Sequence, residues 1–143
     1  IIPFGNSIID YYSFVKIFSM FAIYSFLLSF VREIIKDIVD IEGDRVSSCN
    51  TIPIVLGIKK SKIITFTITS FVLMSLITLI FIGFEHYKYI CFYASLFICV
   101  PIVNLLYKIY IAKVKDDFIF IETWLKIVMI TGILSMMLFR WFI

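Results

Sequence analysis

The chain has 143 residues, of which 62% are hydrophobic and 16% charged, and its formal net charge is +3. Soluble domains hold about 45–50% apolar and about 25% charged residues, so this apolar excess excludes a single water-soluble domain and selects the membrane class. The small charge, with no basic stripe interleaved with aromatics, argues against nucleic acid as a partner.

The chain opens on Ile1-Ile2-Pro3 and not on Met, with no secretory or transit pattern at its start. A single transmembrane domain over residues 1–143, incomplete at its N-terminus, is expected. Four apolar stretches match the ~20 helical residues that cross a hydrocarbon core: Tyr12 to Val31, Ile63 to Gly83, Tyr89 to Tyr107, and Phe118 to Phe139. Lys16 lies near the start of the first, where its stem can snorkel. Pro101 should kink the third or free a backbone carbonyl. Ile, Val and Thr are frequent in these stretches, but barrel strands are shorter and alternate in polarity, so helices are predicted. The fold expected is an all-α membrane bundle of about four transmembrane helices.

Basic residues between the stretches are unevenly placed. The first link holds Arg32, Lys36, Arg45, Lys59, Lys60 and Lys62, the second only Lys88, and the third Lys108, Lys113 and Lys115. That alternation puts the first and third links in the cytoplasm, in a plasma-membrane protein. Trp141 and Tyr87, Tyr89, Tyr107 and Tyr110 stand where interfacial aromatics are expected.

Cys49, Cys91 and Cys99 have no CxxC pairing or nearby His and read as spectator thiols. The lone His86, beside Glu85 and Lys88, reads as a solvated loop residue. Glu122 and Lys126 have the spacing and order of a helical ion pair. Asn104 is expected to bond across helices or to the carbonyl freed by Pro101.

The segment Val31 to Gly57, VREIIKDIVDIEGDRVSSCNTIPIVLG, carries five of the ten acids. Asp37, Asp40 and Asp44 are spaced three and then four apart, and Glu33 precedes Asp37 by four. If the first helix continues past Val31, these carboxylates share one face. Stacked like charges repel, and a divalent cation is their natural occupant. Mg²⁺ takes hard oxygen ligands, with one or two carboxylates plus substrate phosphates. Neighbouring Arg and Lys would contact phosphate oxygens. A solvated cytoplasmic loop with local pairs, Glu33 with Lys36 or Asp37 with Arg45, explains the same charges without a ligand.

The full segment resembles the second Asp-rich motif of the UbiA superfamily of intramembrane prenyltransferases, similar to R-E-x-x-K-D-x-x-D-x-x-G-D followed by T-h-P and a Gly. The matching residues are Arg32, Glu33, Lys36, Asp37, Asp40, Gly43 and Asp44, then Thr51, Pro53 and Gly57. The resemblance implies that the stretches are helices six to nine of a nine-helix bundle. It implies transfer of an isoprenyl group from a prenyl diphosphate to a lipid or aromatic acceptor, with Mg²⁺ as cofactor. Asp37, Asp40 and Asp44 would be the catalytic metal ligands. Arg32, Lys36 and Arg45 would contact the diphosphate, and Gly43 would let the chain turn. The wording KDIVDIEGD followed by TIP is most similar to the geranylgeranylglycerol-phosphate geranylgeranyltransferase-like branch. Quinone-pathway transferases with aromatic acceptors share most of these residues.

The chain departs from that family in one respect. The first Asp-rich motif, similar to N-D-x-x-D-x-x-x-D, is absent, and Asp116-Asp117 lie in another link with the wrong spacing. This piece alone is therefore expected to be inactive. A transporter piece or a non-catalytic scaffold with an acidic cytoplasmic loop are the competing classes. The first predicts acids within the spans, and the second does not account for the Asp37, Asp40, Gly43, Asp44 spacing.

Overall fold

A computed structural model describes residues 4–83, 92–93 and 95–142 of the chain, and every element among them is helical. Helix α1 runs Phe4–Val39, α2 Ile41–Val46, α3 Ile52–Leu56 and α4 Ile58–Gly83. Helix α5 runs Ser95–Ile111 and α6 Lys115–Phe142. The expectations for Glu85, His86, Tyr87, Lys88, Tyr89 and Cys91, and for the side chain of Trp141, lie outside the described residues.

Four long helices thus stand where four apolar stretches were predicted, but the membrane criterion separates them. Phe18–Val39 and Ile58–Ile82 are long and apolar enough to cross a bilayer, and only 22% and 17% of their windows are buried. Such sparse burial is not that of the core helices of a soluble domain, and their remaining apolar faces suit lipid. The expectation of four spans is met only in part. Helix α5 is apolar but shorter, because its described part begins at Ser95 and not at Tyr89. Helix α6 has 28 residues, but its first twelve include Lys115, Asp116, Asp117, Glu122 and Lys126.

The core lies where α1, α4, α5 and α6 meet. Val31, Ile34, Ile35 and Ile38 line one face of α1 at helical spacing. They pack against α6, which carries Ile121, Leu125 and Val128, and α6 in turn packs against α5, which carries Ile102, Leu105 and Ile109, so that all share one buried cluster. Helix α4 contributes a smaller stripe, Ser61, Thr65, Thr69 and Val72, all buried. The three hydroxyls donate to carbonyls of the same chain, to Gly57, Lys62 and Thr65 respectively, at 2.8–3.0 Å. Satisfied locally, they let helices approach closely where lipid supplies no hydrophobic drive between them.

Pro101 opens the regular part of α5, directly after π turns over Ser95–Cys99. Its ring excludes the α-helical bond to the carbonyl four residues back, and wider turns accommodate that loss. Asn104 does not fill the role expected of it. It is exposed and makes no side-chain hydrogen bond among the described residues. The C-terminal end of α5 is instead held by Lys62. Its Nζ donates to the carbonyls of Tyr110 (2.8 Å) and Ala112 (2.7 Å), orphan acceptors at a helix end that attract a cation. Cys49 is exposed, and both Cys49 and Cys99 are free thiols.

Helix α6 starts on a carboxylate cap. Asp117 Oδ2 accepts the backbone N–H groups of Lys113 (2.9 Å) and Val114 (3.2 Å). The Lys113 N–H first, then that of Val114, holds this carboxyl below the usual range. A depressed folded pKa stabilises the turn above about pH 4, the unfolded value, and that contribution is lost as pH falls through the folded one. The protection of the Lys113 and Val114 amides, relative to their intrinsic exchange rates at each pH, should therefore fall on acidification, and Asp117→Asn should abolish that pH dependence.

Candidate active site

Helix α1 continues past Val31 to Val39, as the shared-face reading of the acids required. Asp40 then breaks it, with φ −96° and ψ 9°. The break is shallow, because the helical bond pattern persists through it. Asp40 N–H donates to the Lys36 carbonyl (2.9 Å) and Asp44 N–H to the Asp40 carbonyl (3.0 Å). Helix α2 therefore prolongs α1 with a kink.

The end of α2 is a Schellman turn. Cys49 N–H donates to the Asp44 carbonyl (3.0 Å), and Ser48 N–H to that of Arg45 (3.3 Å). Ser48 occupies the left-handed position with φ 55°, where glycine is favoured. Ser48→Gly should raise stability by about 0.5–1 kcal/mol, readable as an increased unfolding temperature in detergent. Helix α3 then returns the chain against α1 and α4, with Pro53 in its first turn and buried. The segment after α1 is thus a docked helical hairpin, not a free loop.

Asp37 and Asp44 are half-buried and Asp40 is exposed. The charges acting on Asp37 are chiefly acidic, Asp44 first, then Glu33, with Asp40 weaker and Lys36 opposing. That order fits a helical stripe in which the seventh residue on returns nearly to the same face. Alongside it runs a second row, Arg32, Lys36, Asp40, at four-residue steps. Of the two local pairs considered for a solvated loop, Glu33–Lys36 forms at 3.5 Å. Asp37–Arg45 does not, and no ion pair engages Asp37, Asp40 or Asp44 among the described residues. Arg45 and Lys36 are exposed. Gly43 has open space where a Cβ would stand.

Arg32 points elsewhere. Its Nη2 lies 3.7 Å from Glu122 Oε1 on α6, and the same oxygen takes the predicted helical pair with Lys126 Nζ at 2.9 Å. Two buried polar atoms near the motif, Arg32 Nε and Thr51 Oγ1, have no hydrogen-bond partner. Nothing in the local spacing announces the Arg32–Glu122 contact, since ninety residues separate its members. Below this region, a cavity of about 230 Å³ opens between the long helices, lined by Tyr24, Leu28, Leu76, Ile98, Val128 and Met129 among others. Leu28 precedes Asp37 by nine residues, roughly 14 Å along α1.

No group of three His, Cys, Asp or Glu among the described residues is close enough to enclose a metal ion. The donor chemistry nonetheless suits Mg²⁺, which needs only one or two carboxylates when phosphate oxygens and waters complete its shell.

This geometry coincides with a family pattern, because residues 4–130 match the UbiA prenyltransferase family. The chain belongs to the UbiA prenyltransferase family. Proteins similar to it include the digeranylgeranylglyceryl phosphate synthase of Methanosphaera stadtmanae, 32% identical over 117 residues, covering 78% of this chain and 40% of that protein. That of Pyrococcus furiosus is 54% identical over 43 residues, 30% of this chain and 16% of the relative. That of Methanoregula boonei is 35% identical over 68 residues, 48% of this chain and 24% of the relative. The chain therefore spans at most about two-fifths of the length of these relatives. No solved structure matches it.

Proposed function

We propose that this chain is the C-terminal part of a longer intramembrane prenyltransferase, supplying one of two acidic half-sites for a Mg²⁺-bound prenyl diphosphate. The observation that carries this reading is Asp37 and Asp44, half-buried across a kink with Asp40 exposed beside them, none of the three in an ion pair among the described residues. Bound Mg²⁺ would supply positive charge against the diphosphate and its departure. Asp37 and Asp44 would hold it, directly or through water, with Asp40 at the rim. Lys36 and Arg45, exposed beside the acids, and Arg32 would offer donors to phosphate oxygens. The apolar cavity below would take the isoprenyl chain and keep water from the electron-poor allylic carbon.

On this reading the four long helices are helices six to nine of the bundle, each crossing the membrane, with the acidic hairpin on the cytoplasmic side. The remaining ligands come from a first Asp-rich motif outside this chain, so the piece alone is inactive. The resemblance to digeranylgeranylglyceryl phosphate synthases favours a glycerol phosphate lipid over an aromatic acceptor.

The test is radiolabelled prenyl transfer by the longer protein in membranes, with glycerol phosphate lipids and phenolic acids offered in parallel. Transfer that is abolished by EDTA and restored by Mg²⁺ is expected. Absence of any prenyl diphosphate consumption in metal-replete membranes would overturn the reading.

A further inference from the structure

Arg32 belongs by sequence to the acidic motif, yet its guanidinium reaches a different long helix. The partner, Glu122 Oε1, is shared between Arg32 Nη2 at 3.7 Å and Lys126 Nζ at 2.9 Å. The shorter contact anchors Glu122 to its own helix. The longer one is beyond hydrogen-bond range, so Glu122 restrains Arg32 by charge without consuming its donors. Arg32 Nε is buried with no partner, a condition that native structures rarely leave unfilled. A guanidinium has five N–H donors, and one carboxylate shared with a lysine cannot saturate them. The side chains of Arg32 and Glu122 are partly withdrawn from solvent, at 29% and 17% exposure, and Nε is the guanidinium nitrogen that is both buried and unpartnered among the described residues.

We infer that Glu122 is a positioning residue: it holds the Arg32 guanidinium on the α6 side of the acidic segment, with donors unspent, to receive the diphosphate of the prenyl donor. Lys126 matters because it divides the charge of Glu122. The triad keeps a net charge of +1, and Arg32 is oriented without being neutralised. Helix α6, which carries no part of the acidic motif, thereby helps set affinity for the donor. This inference rests on the prenyl diphosphate reading above and adds a residue to it.

The competing explanation is an interhelical ion pair that only ties α1 to α6. The two are separated by steady-state kinetics of the longer protein in membranes, varying geranylgeranyl diphosphate at saturating acceptor, with thermal unfolding measured in parallel. Glu122→Gln should raise the donor KM about tenfold, the scale of loss seen when a carboxylate supporting a metal ligand is removed, and leave the acceptor KM unchanged. Glu122→Asp, which keeps the charge, should recover most of that loss. The swapped variant Arg32→Glu/Glu122→Arg retains an interhelical pair but moves the cation onto α6. It should unfold like the wild type and still show the raised donor KM. A swapped variant with wild-type donor KM, or Glu122→Gln with unchanged donor KM, would overturn the inference. A wild type that consumes no prenyl diphosphate would instead remove the functional reading on which it rests.

Discussion

Asp37→Asn is expected to abolish prenyl transfer by the longer protein, by at least about 100-fold in kcat/KM, while leaving the metal-free fold intact or slightly more stable. The two halves of that expectation have different origins. A carboxamide is nearly isosteric with the carboxylate but brings no charge to a metal-bridged diphosphate, where electrostatic stabilisation is the main contribution of the protein. In the metal-free chain the same carboxylate is flanked by Asp44, Glu33 and Asp40, opposed by Lys36 alone, and has no ion pair among the described residues. Removing one charge from such a row relieves repulsion of a few tenths of a kcal/mol per exposed pair. Unfolding in EDTA should therefore shift upward or stay level as activity disappears. A variant that loses activity together with its fold would mean that Asp37 is structural, and the acidic row would need another explanation.

Gly57→Ala should destabilise the chain by about 1–3 kcal/mol, although there is room for the methyl group. Gly57 has φ 83° and ψ 155°, a region essentially restricted to glycine. A Cβ placed there meets nothing within 4 Å, so the cost is torsional. The residue joins α3 to α4 and directs α3 back onto α1, and its carbonyl accepts both the N–H (3.1 Å) and the hydroxyl (3.0 Å) of Ser61. The penalty should appear as a lowered unfolding temperature. Because α3 seats the segment that follows the acids, Mg²⁺-dependent transfer should fall as well. An unchanged unfolding temperature would show that the α3–α4 junction relaxes to negative φ without loss.

Much of the site was legible in the chain itself, for reasons that are local. The offsets among Asp37, Asp40 and Asp44 place carboxylates near one helical face wherever a helix forms, and α1 with its continuation α2 leaves Asp37 and Asp44 half-buried while Asp40, at the kink, is exposed. The Glu122–Lys126 pair was equally visible, being four residues apart on one helix. The Asp40 kink was not: its backbone hydrogen bonds are nearly those of an uninterrupted helix, so no spacing or residue type marks it. Asn104 misled because a polar side chain beside a proline suggested a buried partner, whereas the π turns ahead of Pro101 absorbed the disruption. Apolar length places the four long helices, and among the described residues two of them, over Phe18–Val39 and Ile58–Ile82, are long and apolar enough to cross a bilayer.

The sequence by itself determined the membrane class, the positions of the long helices, the acidic row and its likeness to the UbiA family. These follow from composition, helical periodicity and short-range spacing, which need no knowledge of what packs against what. Only the tertiary structure decided that Arg32 turns to Glu122, that Lys62 holds the end of α5, that α3 folds the acidic segment back onto the bundle, and that a cavity lies below it. Each of those depends on residues brought together from distant parts of the chain, where packing of whole helices, and not local preference, sets the distance.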